Sequence, residues 1–520
     1  MLAWARRHKK KLTALGVGVG VFGLAPLVAH LTVERMVRLT PPAIPETSLR
    51  LSESNGVRTA GKGWARVFGS KPGSGPGVNV VQLAGTPEEI GTEHTTLLRD
   101  HMLANESVLW DGFSNVVPFT PARALLFDMG RYRYRNVQDG FPEPRRRELA
   151  AEARAFDPDP YASHMPTYPR MVFLHALYDI ALSFEHSPLL GTGPSPGSKP
   201  RPQLDGCTAF GLGPDATSDG HALFARAFDF EAADVFDRDK AVFVVRENGA
   251  IPFASVSWPG LVGVVTGMNA EGVAVAVNGG RAGTPKTTGI PVAFALRETL
   301  SHAHDTAEAV AILKQQDVMV SHIVFVGDAK GHFAVVERAP GTPAFVRSDV
   351  PDPARVGITN HFEGPLASDP SNLHVRETTT TLPRRARIDE LLHGVAPKSA
   401  TVASSVGMLR DHSCAGSDKC ELGDRKTIDA LIATHGVVFD LTAKKAWVSE
   451  GPHLSGRFVK IDLASIVSHE DGPPPDTDDD AVPADEILGD ARYTEGRARA
   501  GGPLLGPELP LTTGGKHASP

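Results

Sequence analysis

The sequence predicts an α+β protein in which helices flank antiparallel sheets, and three observations predict it. Helical patterns dominate the chain before about residue 187, and short β-rich runs dominate after Cys207. A Pro/Gly/Ser-rich stretch from Ser187 to Pro202 separates the two. The 520 residues leave room for one large catalytic body with appendages, and 41% hydrophobic with 22% charged content is that of an ordinary folded chain. A net charge of −7, with Lys and Arg scattered beyond one N-terminal cluster, excludes a nucleic-acid footprint.

That cluster, Arg6, Arg7, Lys9, Lys10 and Lys11, precedes an apolar stretch from Leu12 to Val33. About 20 such residues can cross a bilayer core, with the cations kept inside the cell. Residues 1–34 are therefore expected to be a membrane-spanning signal anchor, placing the body on the extracytoplasmic, periplasmic side of the inner membrane. Gly18, Gly20 and Gly23 fit a dinucleotide pattern, but no strand precedes them and a Rossmann reading is discarded. Residues 35–77 read as a flexible linker, closing on the Gly/Ser/Pro run from Gly69 to Gly77.

Val78 to Leu83 predicts a strand. Thr86, followed by Pro87 and by Glu89 three residues on, predicts an N-cap and a helix running towards His101. Further helices are expected over Arg145 to Phe156 and Arg170 to Phe184. After Cys207, strands are expected over Ala241 to Arg246, Ile251 to Trp258, Leu261 to Met268 and Gly272 to Val277. A hairpin is expected from His322 to Glu337. Helical stretches follow at Pro291 to Leu300, Thr306 to Gln315 and Arg384 to Leu392. Residues 466–520 read as a disordered tail, and the run Asp476 to Asp480 as solvated charge, since it lacks the glycine and distal glutamate of a calcium loop.

Three cysteines occur. Cys414 and Cys420 lie close enough in sequence to form a disulfide, and with His412 they supply too few ligands for a zinc site. Cys207 is then the odd thiol, either a buried small hydrophobe or a reactive group. It sits at the junction of the two halves of the chain, directly after Gly206. A glycine carbonyl there is open to the adjacent sulfur, and hydrolysis after an N-to-S acyl shift would free the Cys207 amine. With a reference pKa of about 8, that amine can act as base for its own thiol. The junction alone leaves both readings open.

Further segments fall in a recognisable order. They are Leu83 to Gly91, Asp205-Gly-Cys-Thr208, Arg226-Ala-Phe-Asp229, Gly267 to Asn278, Ile358-Thr-Asn360, Thr381 to Leu392, and Val437 to Asp440 with Ala446 to Ser449. Over Val78 to Leu463 the chain resembles the autoproteolytic acyltransferases and hydrolases typified by acyl-coenzyme A:6-aminopenicillanic acid acyltransferase. Bile salt hydrolases and acid ceramidase are more distant relatives.

The resemblance implies the four-layer αββα fold of N-terminal-nucleophile hydrolases. It implies cleavage between Gly206 and Cys207, giving an α chain of residues 78–206 and a β chain of 207–465 as a heterodimer. Cys207 would be the nucleophile, Asp229 would hold its amine, and Arg226 would orient and ionise the sulfur. Asn278 and Asn360, with Asn360 preferred, would donate to the oxyanion. Arg384 would be the late active-site arginine, with Arg387 the fallback. Thr95 stands where the family often has glycine, and Thr381 where it usually has serine.

The activity so implied is cleavage or transfer at an amide or thioester of an acylated small molecule, with no metal or other cofactor. The alternatives are an inactive, membrane-tethered envelope binding protein and an internal Cys/His hydrolase. A serine hydrolase lacks its G-x-S-x-G elbow.

Overall fold

The computed structural model describes residues 25–37, 39–70, 75–184, 206–230, 233–347, 352–416, 419–469, 472–476 and 480–501. In chain order its strands are β1 (Ser52–Ser54), β2 (Val57–Ala60), β3 (Gly63–Phe68), β4 (Val78–Gly85), β5 (Thr208–Leu212), β6 (Leu223–Asp229), β7 (Ala241–Glu247), β8 (Phe253–Ser257), β9 (Thr266–Asn269), β10 (Ala274–Gly279), β11 (His322–Gly327), β12 (Phe333–Arg338), β13 (Phe345–Arg347), β14 (Arg355–Ile358), β15 (Ala433–Asp440), β16 (Lys445–Ser449) and β17 (Phe458–Asp462). One sheet has the order β1-β2-β3-β4-β7-β8-β9-β10-β11-β12-β13, and the other β14-β5-β6-β15-β16-β17. The helices that pack on them or bear on function are α1 (Ala25–Met36), α2 (Pro87–Val116), α3 (Thr120–Arg133), α4 (Glu143–Ala155), α5 (Thr167–His175), α6 (Val292–His302), α7 (Thr306–Gln315), α8 (Thr381–His393), α9 (Val402–Leu409) and α10 (Arg492–Ala500).

Alternation along the strands sends one set of side chains between the sheets. There Phe224 of β6 stacks on Phe325 of β11 at 4.7 Å, amid Val242, Phe439 and Val448. The other face of the large sheet carries Val81 and Val324, covered by Leu97 of α2, Leu296 of α6 and Leu313 of α7. The other face of the small sheet is covered by Ile388 and Leu392 of α8 and Leu409 of α9. The layer order is helices, sheet, sheet, helices.

Local chemistry fixes several elements. Thr86 caps α2 by accepting the Glu89 N–H at 3.3 Å, while the Glu89 carboxylate accepts the Thr86 N–H at 2.8 Å. The helix runs to Val116, past the expected end near His101. Gly272 turns between β9 and β10 with φ 85°, and a Cβ there would lie 2.4 Å from the Leu441 carbonyl oxygen. The helix expected over Arg170 to Phe184 is two, breaking at Ala176.

Two expectations about the chain's edges need correction. The supposed linker 35–77 contains β1, β2 and β3, which extend the large sheet. Trp64 is only 1% exposed, because β3 pairs along β4 and buries it. The supposed disordered tail 466–520 contains α10, whose Tyr493 is 2% exposed and whose Arg497 approaches Asp234 at 3.7 Å; residues 502–520 lie outside the described residues. Of the anchor, Met1 to Leu24 lie outside the described residues, and α1 is 12 residues long. Among the described residues no helix is long and apolar enough to cross a membrane.

Two features tie the chain before Cys207 to the chain after it. β4 runs parallel to β7, from Asn79 opposite Ala241 to Gly85 opposite Glu247. Behind the sheet lies a buried charge cluster, in which Arg145 bonds Glu148 at 2.6 Å and also Glu247, while Arg297 bonds Glu148 at 2.8 Å and Glu247 at 3.2 Å.

The same layer holds the loop ahead of β9. The Nε2 atoms of His94 and His175 accept the N–H groups of Gly260 and Val262 at 3.1 and 3.0 Å. Each imidazole must be neutral to accept there, and His175 Nδ1 donates to the Met171 carbonyl at 2.7 Å. Burial pushes the pKa of His94 down to about 3, helped by His175 and Arg297. It pushes that of His175 down to about 4, with Arg297 again adding to the effect. A depressed histidine contributes stability above its unfolded pKa that is lost as pH falls towards the folded one. His175→Gln should therefore flatten the pH dependence of unfolding free energy between about pH 4 and 6.5, by about 1.4 kcal/mol per pH unit relative to wild type. Denaturant titrations across that range read the slope, and an unchanged slope would mean that the imidazole is not buried neutral.

Candidate active site

Cys207 immediately precedes β5, and the antiparallel pairing of β5 with β6 places Ala209 opposite Arg226. Both Cys207 and Arg226 are completely buried. Arg226 Nη2 donates to Cys207 Sγ at 3.2 Å and also to the Val277 carbonyl, while Nη1 donates to the Val265 carbonyl at 2.7 Å and to Thr266 Oγ1. Its guanidinium lies over the Phe228 ring, 4.4 Å from the centroid. A fixed cation at hydrogen-bond distance from sulfur favours thiolate over thiol.

Asp229 ends β6. Its carbonyl accepts the Gly206 N–H at 3.2 Å, and a Cβ on Gly206 would stand 3.1 Å from the Asp229 Oδ2. Gly206 therefore fits a space that the carboxylate bounds.

The Cys207 carbonyl is held from two sides. Arg384 Nη1, one turn into α8, donates to it at 2.7 Å and to Thr208 Oγ1 at 3.0 Å. Asn278 Nδ2, near the end of β10, donates to it at 3.3 Å and to the Thr359 carbonyl at 3.1 Å. Asn278 Oδ1 is buried and has no hydrogen-bond partner among the described residues. Asn360 joins the same network: its Oδ1 accepts from Arg384 Nη2 at 2.9 Å, and its Nδ2 donates to the Gly279 carbonyl at 3.1 Å.

All the residues singled out by the sequence, Gly206, Cys207, Arg226, Asp229, Asn278, Asn360 and Arg384, thus converge at one end of the two sheets. The fallback Arg387 does not. It points away, pairing with both oxygens of Asp411 at 2.8 Å, which raises its pKa. Thr381 does what a serine hydroxyl would, accepting the Asn360 N–H at 2.8 Å. Asn269 is a turn residue, its Oδ1 accepting from Glu271 and Val273.

Sequence reasoning missed Thr266 and His435. Thr266 Oγ1 bridges Arg226 and His435 Nε2, the latter at 3.1 Å. Burial, with Arg226 and Lys240 nearby, holds His435 well below the usual histidine range, so it is neutral. Neither position carries a local signal, because β9 and β15 meet β6 only in the folded chain. Around the sulfur lie Phe228, Phe236 and Trp258, with Leu261, Val108 and Leu109 packed against them. Cys414 and Cys420 form a disulfide with Cα atoms 5.5 Å apart, which commits both sulfurs and removes them as zinc ligands.

Residues 216–453 match the family model described as acyl-coenzyme A:6-aminopenicillanic acid acyl-transferase. Over that span the chain resembles this acyltransferase family. The matched span includes Arg226, Asp229, Asn278, Asn360 and Arg384 and begins after Cys207. An uncharacterized protein of Archaeoglobus fulgidus is 26% identical over 267 residues, a match that spans 49% of this chain but only 42% of that relative's length. Among solved structures, a penicillin V acylase from Agrobacterium tumefaciens is 18% identical with a TM-score of 0.37, covering 51% of this chain and 89% of its own. An N-acylethanolamine-hydrolyzing acid amidase ortholog from Caenorhabditis elegans is 16% identical with a TM-score of 0.34, over 45% and 93%. A mutant conjugated bile acid hydrolase from Clostridium perfringens is 14% identical with a TM-score of 0.32, over 52% and 95%.

Proposed function

We propose that the chain is a self-cleaving cysteine N-terminal-nucleophile amidohydrolase or acyltransferase with the four-layer fold of that class. The observation that carries this reading is the contact of Arg226 with Cys207 Sγ at 3.2 Å, directly after a glycine bounded by Asp229. In the cleavage step Cys207 Sγ attacks the Gly206 carbonyl carbon and the Gly206–Cys207 C–N bond breaks. The Cys207 nitrogen keeps the electron pair and takes a proton, leaving a thioester. Water then hydrolyses that thioester to a Gly206 carboxylate and a Cys207 bearing both thiol and amine.

In turnover the thiolate attacks the substrate's acyl carbon while the Cys207 amine delivers the proton to the departing nitrogen. Water or an amine acceptor then takes the acyl group. Asn278 would need to release a carbonyl to stabilise the oxyanion, since both of its amide N–H groups are engaged in the uncut chain, whereas Asn360 Nδ2 donates to the Gly279 carbonyl and carries a second N–H for the oxyanion. The aromatic and aliphatic side chains around the sulfur suit an apolar acyl group. Residues 1–34 would anchor the protein with its body on the extracytoplasmic side. After cleavage the α and β chains would stay together through the β4–β7 pair and the buried charge cluster.

Intact mass and N-terminal sequencing of the full chain beside Cys207→Ala test the reading. The native protein should yield a fragment beginning at Cys207, and the variant should stay whole. If both persist as folded single chains, an inactive binding protein or an internal Cys/His enzyme takes its place.

A further inference from the structure

Helix α3 is built inside out. A surface helix normally turns its apolar stripe inward. Here Leu125, Met129 and Tyr132, at positions i, i+4 and i+7, form a stripe that faces solvent, with Phe119 at its start; their exposures run from 42 to 67%. The charged Asp128 and Arg131 point inward, and α1 supplies their partners: His30 Nδ1 lies 2.8 Å from Asp128, and Glu34 2.5 Å from Arg131. The adjoining α1 likewise exposes Leu27, Val28 and Leu31.

We propose that this joint face of α1 and α3 docks on a lipid bilayer carrying anionic headgroups. The covering partner is argued from the chain itself. In the sequence, the residues just before α1 are Leu12 to Leu24, where Thr13 alone is polar, and before them come Arg6, Arg7, Lys9, Lys10 and Lys11. Arg35 of α1 and Arg133 of α3 are exposed and add cations for the headgroup layer. An apolar face bordered by cations and joined to such a segment fits a membrane surface better than a second protein.

The face also reaches towards Cys207. α3 meets the last turns of α2, where Trp110 lies 5.6 Å from Phe127, and the preceding Val108 and Leu109 of α2 pack on the Cys207 cluster. An amphipathic acyl amide could thus leave the bilayer along α2; that consequence rests on the function proposed above, whereas the docking does not.

The test uses the full chain carrying Leu125→Trp or, in a second variant, Met129→Trp, with Leu373→Trp on the exposed Leu373 as control. Each is mixed with phosphatidylcholine/phosphatidylglycerol vesicles whose acyl chains are brominated. An interfacial helix seats its apolar side roughly 5–10 Å into the headgroup boundary, so the first two should lose about half of the added emission and the control almost none. Quenching at neither Leu125→Trp nor Met129→Trp beyond that of Leu373→Trp overturns the proposal. So does a lipid-independent blue shift that grows with protein concentration, which gives the face to a second copy of the chain. Mass analysis of the same samples separates the two ideas, since an uncut but quenched protein sinks the self-cleavage and leaves the docking intact.

Discussion

On the self-cleavage proposed above, Arg226→Lys should leave most of the chain uncut. Lysine keeps the charge but concentrates its donors on one nitrogen, whereas the guanidinium spans Cys207 Sγ, the Val265 and Val277 carbonyls and Thr266 Oγ1 at once. Holding a developing charge with a preorganised donor is worth about 10²–10³ in rate at comparable sites, so cleavage followed by mass should slow by at least that order. A denaturant midpoint measured beside it separates chemistry from folding. A folded variant that cuts at the native rate would remove Arg226 from the mechanism. Arg226→Ala should behave alike but lose stability too, since it removes a donor from the Val265 and Val277 carbonyls and from Thr266 Oγ1.

The second large effect is on stability. Arg297 is 1% exposed and bonds Glu148, Glu247 and, at 2.5 Å, the Val262 carbonyl. Arg297→Ala leaves two carboxylates to Arg145 alone in a site from which water is excluded. Removing one partner of a buried pair costs about 3–5 kcal/mol, and the fall should appear as a lower urea midpoint. Since Arg145 and Glu148 precede Cys207 while Glu247 and Arg297 follow it, the proposed cleavage would make the variant's two chains separate at lower urea than those of wild type. Pairing it with Glu148→Gln should give less than the sum of the two single losses, because the substitutions share one interaction. A loss below about 1 kcal/mol would mean that the cluster is solvated.

Much of this molecule was legible because its signals are local. The capping residues Thr86 and Glu89 act across one helical turn, and Gly272 marks the turn between two short apolar runs. The junction at Gly206-Cys207 could be read as a point where thiol, amine and a scissile carbonyl are covalent neighbours. The acyltransferase resemblance added Arg226, Asp229, Asn278, Asn360 and Arg384, and only the structure separated Arg384 from Arg387, three residues away on the same helix.

What the sequence by itself determined is therefore the α+β pattern, the order of most elements and, with the family resemblance, the candidate residues that the fold brings together. The tertiary structure decided the rest. It joined β1, β2 and β3 to the large sheet, folded α10 back onto the body, assembled the Arg145–Glu148–Glu247–Arg297 cluster and set Thr266 and His435 behind Arg226. It also turned the apolar side of α3 outward. Each depends on partners dozens to hundreds of residues apart, such as β4 beside β7, and on which face of an element finds a partner. Periodicity fixes that a helix or strand has two faces; only the packing of distant segments selects the one that is buried.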